Sequence, residues 1–207
     1  MTRKNVFSSY PQFVGQYLEQ LLNPRVWVNK ADEMLEASKV LEPQLRQYWS
    51  VVMTREKERK YKRGKEYPYT PPPNLHGPYF ILVSYGLENL FKAIIVREQG
   101  DEIRSEFAKK GMLPSLIKGH NLVELSKKTN IEMDIREENV LTRLSRLSKW
   151  KSRYPVPVEV GEIQNVIPNS DGKPIFTDYY APGDLDQISA IVQRIRGCVA
   201  GHVNPPS

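Results

Sequence analysis

The chain has 207 residues and a net charge of +6, and its 40% hydrophobic and 26% charged residues are typical of one globular domain with a hydrophobic core. A single cysteine excludes an intramolecular disulfide framework, and three scattered histidines give no recognisable zinc spacing. The first residues contain no apolar segment long enough for a signal peptide, so we expect a cytoplasmic protein. We also expect neither a metal nor a cofactor.

The first predicted helix covers about residues 26–63, after an N-terminal extension at residues 1–25. Pro43 should kink or break this helix near Glu42, because proline disfavours helical geometry at the residue before it. The helix is predicted from residues that recur three or four positions apart and form one stripe. The stripe consists of Trp27, Ala31, Met34, Leu35, Ser38, Leu41, Leu45, Tyr48 and Val52.

The end of this helix carries most of the net charge. The run REKERKYKRGKE at residues 55–66 contains seven basic and three acidic residues, which supply +4 of the total. Such a run can attract phosphate, but the interspersed acidic residues favour a solvated helix end in which basic and acidic side chains are neighbours.

A proline-rich loop at residues 66–78 separates the first helix from a second one, predicted at about residues 79–97. A short helix is expected around residues 102–110, and Gly111 and Pro114 should end it.

The third and fourth helices follow. Asn121 can cap the third helix, because Glu124 lies three residues later in a capping-box arrangement. The fourth helix is predicted at about residues 136–151, with apolar residues on one face and basic residues on the other. This basic stripe could hold a nucleic-acid backbone beside an aromatic platform for a base, although a solvated helix face is the simpler interpretation. The stripe consists of Arg136, Arg143, Arg146 and Lys149, with Trp150 at its edge.

Residues 154–183 are rich in Pro, Gly, Asn and Asp, and they predict an irregular excursion with room for a short hairpin. The last helix should start at Asp184. Together, about five helices without a convincing sheet predict an all-α fold, an up-and-down helical bundle that occupies residues 1–207 as one domain.

The second helix contains a polar ridge, Ser84, Glu88 and Lys92, within an apolar run at residues 79–96. The run is shorter than a membrane span, which needs about 20 residues, and it contains two charges, so we expect no membrane association. Glu88 and Lys92 could form an exposed ion pair worth about 0.3–0.5 kcal/mol. They could equally form a buried pair, in which removal of one charge would cost about 3–5 kcal/mol.

Four stretches resemble helices of bacterial proteins of the HEPN superfamily. They are VWVNKADEMLEASKVLEP at residues 26–43, SYGLENLFKAIIV at 84–96, GHNLVELSKK at 119–128 and KWKSRYPVP at 149–157. In the third stretch, Asn121 stands where the family more often has Asp. The resemblance implies an up-and-down helical bundle, HEPN-like and often a homodimer, that works in microbial defence, toxin–antitoxin or stress systems. It leads us to expect a module that binds RNA or a nucleotide.

Some HEPN proteins cleave RNA with an arginine and a histidine that are separated by four to six residues. Here Arg196 and His202 match that spacing, but Gly197 stands where the family usually has a polar residue. As an endoribonuclease, the protein would use His202 as general acid and base and Arg196 to stabilise the phosphate charge. The nucleophile would be the 2′-hydroxyl group, and no metal would be required.

The resemblance also implies a third possibility, a non-catalytic adaptor or antitoxin subunit that partners a nucleotidyltransferase. It further singles out five candidate residues for binding a ligand or phosphate, because the shared stretches contain them. For Arg153 and Tyr154 the alternative role is a structural clasp that closes the fourth helix onto Glu88, and for His120 it is capping or packing. The five residues are Glu88, Lys92, His120, Arg153 and Tyr154.

Overall fold

The computed structural model describes residues 11–61, 72–148, 166–176 and 180–200. Over these ranges the chain forms eight helices and one two-stranded hairpin, which confirms the predicted all-α class. The helices are α1 Pro11–Leu22, α2 Pro24–Tyr61, α3 His76–Glu98, α4 Gly100–Lys110, α5 Ser115–Lys118, α6 Leu122–Lys127, α7 Ile135–Arg146 and α8 Pro182–Ala200. The Arg153–Tyr154 dipeptide, Lys149, Trp150 and His202 lie outside the described residues.

Helix α1 lies within the segment predicted as an N-terminal extension. Leu21 is buried in the core, and the ring of Tyr17 stacks on Phe107 of α4 at a centroid distance of 5.3 Å. Pro24 opens α2, a position where proline needs no amide hydrogen. The indole Nε1 of Trp27 donates to the carbonyl of Leu21 at 3.0 Å, which closes the corner between the two helices. Helix α1 is therefore part of the helical bundle and not an extension outside it.

Helix α2 runs through Pro43 without a break. Pro43 lies on the exposed side of the helix, where water can reach the carbonyl group that proline leaves without a partner. The predicted break near Glu42 is therefore absent.

Helix α3 is the centre of the bundle, and α2 packs antiparallel along it. Trp27 near the start of α2 meets Lys92 near the end of α3, whereas Trp49 further along α2 meets Phe80 near the start of α3. By length and composition α3 could cross a membrane, but 78% of its apolar stretch is buried inside the protein. The helix begins at His76, three residues before its predicted start, and carries Pro78 in its first turn.

Specific residues end and start the shorter helices. Gly111 ends α4 in the left-handed conformation, with φ of 63°. Asn121 caps α6, as predicted. Asp134 caps α7 in a capping box with Glu137, so that helix begins one residue before the predicted position.

The last described segments contain a hairpin and a helix. Strands β1 (Val166–Pro168) and β2 (Pro174–Phe176) pair antiparallel in a short hairpin, within the segment that was predicted to be irregular with room for such a hairpin. Helix α8 begins at Pro182, two residues before the predicted start. Asp184 is consequently the third residue of the helix, and its carboxylate accepts the amide hydrogen of Ala181 at 2.6 Å.

Candidate functional site

The polar ridge of α3 is buried. Ser84, Glu88 and Lys92 are 0%, 6% and 4% exposed, although two of them carry charges. The Ser84 hydroxyl donates to the carbonyl of Leu144 in α7 at 3.4 Å. The ridge therefore faces the other helices of the bundle, and the interpretation as an exposed ion pair is wrong.

Lys92 neutralises Glu88 inside the protein. Its ammonium nitrogen lies 2.6 Å from the Glu88 carboxylate, and it also lies 5.6 Å from the centroid of the Trp27 ring. A buried charge is tolerated when it is paired and hydrogen-bonded, and an aromatic face adds a further favourable interaction with a cation. The pair is therefore enclosed by α2 on one side.

His120 approaches the same carboxylate from the other side. Its Nδ1 lies 3.0 and 3.1 Å from the two oxygen atoms of Glu88. The His120 side chain is 66% exposed, whereas that of Glu88 is only 8% exposed. Since Nδ1 donates to the carboxylate, Nε2 on the other side of the ring is free to accept a hydrogen bond, or to donate one when the ring is protonated. The result is an exposed imidazole oriented by a buried carboxylate.

The chain around His120 is held in place by local contacts. The Asn121 side-chain oxygen accepts the amide hydrogens of Val123 and Glu124 at 3.1 and 3.4 Å. The amide of Leu122 donates to Ser145 Oγ of α7 at 2.9 Å, and Leu122 itself is completely buried. Because the residues that follow His120 are anchored to α7, the imidazole is positioned above Glu88 rather than placed on a free loop.

Arg143, expected on a nucleic-acid face, is bound to α8. Its guanidinium forms two hydrogen bonds with the Asp184 carboxylate, at 3.0 and 2.5 Å, and the two side chains are only 12% and 13% exposed. It also lies 4.9 Å from the centroid of the Tyr180 ring. Two-pronged arginine–carboxylate pairs are strong and directional. The position of Arg143 therefore indicates a structural role in attaching the last helix.

Tyr180 belongs to an aromatic cluster that the sequence did not predict. Its ring stacks on Phe80 at 3.9 Å, and His76 packs edge-on against both rings. Burial raises the pKa of the Tyr180 phenol above its ordinary value. Its hydroxyl finds no hydrogen-bond partner among the described residues. The cluster joins the start of α3 to the segment that leads into α8.

The basic stripe of α7 is not uniform. Arg136 is exposed, Arg146 is half-buried, and Arg143 is occupied by Asp184. Lys149 and Trp150 fall outside the part of the chain that the structure describes. Within that part, Arg136 is the most open cation of the stripe, and the prediction of a continuous nucleic-acid face stays a prediction.

Arg196 pairs with Asp32 of α2, and its side chain is 35% exposed. The pair connects α8 to the long helix, so the guanidinium is already neutralised by a carboxylate. His202 lies beyond the described residues, as do Arg153 and Tyr154. The ribonuclease pair and the arginine–tyrosine part of the ligand site therefore stay predictions.

Comparisons with protein-family models, curated proteins and solved structures gave no match. The HEPN resemblance consequently rests on the four stretches of sequence alone. Within the described ranges, no three His, Cys, Asp or Glu side chains come together to hold a metal ion. Of the five candidate ligand residues, the structure brings together Glu88, Lys92 and His120.

Proposed function

We propose that this protein is a HEPN-like helical module that binds RNA or a nucleotide, and that His120 contacts a phosphate group. The observation that carries the proposal is the exposed imidazole of His120, whose Nδ1 is hydrogen-bonded to the buried carboxylate of Glu88. The resemblance of the surrounding stretches to HEPN helices gives the ligand class.

The charges of the site suit an anion. Lys92 already neutralises Glu88, so a protonated His120 adds an uncompensated positive charge at the surface. Nε2–H would then donate a charge-assisted hydrogen bond to a phosphate oxygen, and such bonds are stronger than those between neutral groups. Glu88 acts as a positioning residue in this scheme, because it fixes the ring and does not itself contact the ligand.

Ligand binding can be measured by fluorescence anisotropy with a labelled single-stranded RNA and by calorimetry with ATP and other nucleotides. A hydrogen bond to a charged group contributes about 1.5–3 kcal/mol, so His120→Ala should weaken binding about 10- to 150-fold. Lys173→Ala is the control, because it removes an exposed cation from the turn of the hairpin. It should leave the affinity unchanged.

Glu88→Gln tests the positioning role. It preserves the shape of the side chain but removes the charge that orients His120, so binding should weaken. Thermal unfolding must be followed in parallel, since the same change leaves the buried Lys92 ammonium without its counter-charge. If wild type binds neither RNA nor nucleotides, or if His120→Ala binds as tightly as wild type, the proposed function is wrong.

The same RNA assay distinguishes binding from cleavage. Incubation in EDTA followed by gel electrophoresis would reveal a metal-independent endoribonuclease. In that case His202→Ala should abolish cleavage, whereas His120→Ala should act on binding. Intact RNA after incubation with wild type would support the binding module over the enzyme.

The resemblance also supports the proposal of a homodimer that serves a microbial defence, toxin–antitoxin or stress system. Analytical ultracentrifugation at several concentrations tests the oligomeric state. A mass of twice the 23.9 kDa chain is expected. A single species with the monomer mass over the whole range contradicts the homodimer and leaves the phosphate site untouched.

A further inference from the structure

Basic residues flank His120 on both sides in the unit formed by α5, α6 and the loop between them, residues 115–128. Lys118 ends α5 two residues before His120, so their Cα atoms are at most about 7 Å apart. Lys127 ends α6 on the other side of the imidazole in sequence. Both lysine side chains are exposed.

The two ends of this unit are tied together. The Lys128 ammonium donates to the backbone carbonyls of Ser115 and Leu116 at 3.3 and 3.0 Å. The end of α6 is thereby held against the start of α5, which is only four residues long. Lys118, His120 and Lys127 consequently lie along one connected unit of the fold.

Acidic side chains are fewer than basic ones near these lysines, although Glu124 is exposed three residues before Lys127. Residues 104–128 contain six basic and only two acidic residues. One of the acidic residues, Glu106, accepts hydrogen bonds from Lys110 and from Ser115, and these bonds hold its pKa below the ordinary value. Lys118 and Lys127 form no ion pair with any acidic side chain in the described part of the chain. Their charges are therefore available to an external anion.

We propose that the α5–α6 unit is the surface on which the backbone of a single-stranded RNA lies, with one phosphate at His120 and neighbouring phosphates at Lys118 and Lys127. This inference rests on the proposed function and selects a polynucleotide over a free nucleotide, because the cations are distributed along the unit instead of converging on one group. It also moves the RNA surface away from α7, where Arg143 is occupied by Asp184.

The test is the salt dependence of RNA binding. Each phosphate contact on a single strand changes the slope of log K against log salt concentration by about 0.7. The double variant Lys118→Gln/Lys127→Gln should therefore lower the slope by about 1.4. Relative to 1 M salt, where screening removes the effect, affinity at 0.1 M should fall about 25-fold.

The matched control is Lys30→Gln/Lys39→Gln, which removes two exposed cations from α2. It should retain the wild-type slope. ATP binding should be nearly the same in both double variants, because only the phosphate contact at His120 remains relevant to a free nucleotide.

Three results would overturn the inference, and they can be separated from failure of the proposed function. A Lys118→Gln/Lys127→Gln variant with wild-type affinity and slope, combined with weak binding by His120→Ala, leaves the phosphate site but removes this surface. The same conclusion follows if ATP binds at His120 and RNA binds no more tightly than ATP, or if the α2 control loses as much affinity. Wild type that binds neither ligand contradicts the proposed function itself, and this inference with it.

Discussion

Glu88 and His120 are 32 positions apart in the sequence, and both oxygens of the Glu88 carboxylate lie within 3.1 Å of the His120 Nδ1. This contact links the interior of the bundle to its surface. Behind Glu88, Lys92 is buried against α2, whereas in front of it most of the imidazole meets solvent. Substitutions on the inner side should therefore change stability, and substitutions on the outer side should change binding.

The buried ion pair gives the first prediction. Lys92→Met would leave Glu88 charged in a buried position, and the free energy of unfolding should fall by about 3–5 kcal/mol. In urea unfolding, the double variant Lys92→Met/Glu88→Leu should lose less than the single variant, because no buried charge then lacks its partner. Lys39→Met breaks an exposed pair with Glu36 and should cost less than about 1 kcal/mol. Equal losses in Lys92→Met and Lys39→Met would contradict the importance of burial.

The attachment of the last helix gives the second prediction. Arg143→Met removes the cation that faces Asp184, and both side chains are nearly buried, so unfolding should become easier by about 3 kcal/mol. Arg136→Met lies in the same helix but on the exposed side, and it should change stability by at most about 0.5 kcal/mol. Urea unfolding measures both variants.

The same two variants also test the basic stripe as a nucleic-acid face. If Arg143 has a structural role, RNA affinity measured well below the unfolding transition should be unchanged in Arg143→Met. A loss of affinity without a loss of stability would reverse that assignment and return Arg143 to the nucleic-acid face.

The third prediction concerns alkaline pH. Burial raises the pKa of Tyr180 in the folded protein above that of the unfolded chain, so its contribution to stability is complete below the unfolded value near 10 and is lost as pH rises through the folded value. Tyr180→Phe should therefore reduce the alkaline decline in the free energy of unfolding by up to about 1.4 kcal/mol per pH unit. At neutral pH the variant should be as stable as wild type or slightly more stable, because the hydroxyl lacks a hydrogen-bond partner among the described residues.

Chemical unfolding between pH 8 and pH 11 measures this effect. Tyr17→Phe is the control for the substitution, since that ring is 45% exposed. Tyr79 is also mostly buried, and burial raises its pKa as well, so some alkaline decline should persist in Tyr180→Phe. Identical pH profiles for wild type and Tyr180→Phe would mean that the phenol reaches solvent.

Sequence patterns were most informative about features that depend on residues close together in the chain. The apolar run of α3 placed Glu88 and Lys92 on one polar ridge, but it left an exposed pair and a buried pair equally open, and only the structure shows that both side chains are buried. Asn121 was identified as a cap from its own position and that of Glu124. Helix α1 was not predicted, although the sequence contains a signal for it. Val14, Leu18 and Leu21 recur at helical spacing, and in the structure they pack on the core.

Contacts between distant segments could not be predicted in the same way. Arg143 and Asp184 are 41 positions apart, and Arg143 fitted a basic helical stripe equally well, so nothing local distinguished a solvent-facing cation from a paired one. The contact between Trp27 and Lys92 depends on the antiparallel alignment of α2 with α3, which only the assembled bundle specifies. The lysines of the α5–α6 unit are spread along the sequence, so only the fold of that unit relates them to one another.

The close packing of α2 on α3 gives the fourth prediction. A Cβ atom added at Gly86 would lie 2.6 Å from Cγ of Leu35, which is itself only 4% exposed. Gly86→Ala should therefore destabilise the protein by about 1–3 kcal/mol through overpacking, less up to about 1 kcal/mol gained from better helix propensity. Leu35→Ala should cost about 2–5 kcal/mol through the cavity that it leaves.

The double variant Gly86→Ala/Leu35→Ala isolates this contact. The added methyl group would occupy space vacated by the leucine, so the loss in the double variant should be smaller than the sum of the two single losses by at least about 0.5 kcal/mol. Urea unfolding of the four proteins completes the cycle. Strict additivity would mean that α2 and α3 do not meet at these two residues, and since Trp27 belongs to the same helix, the enclosure of Lys92 by α2 would then need another explanation.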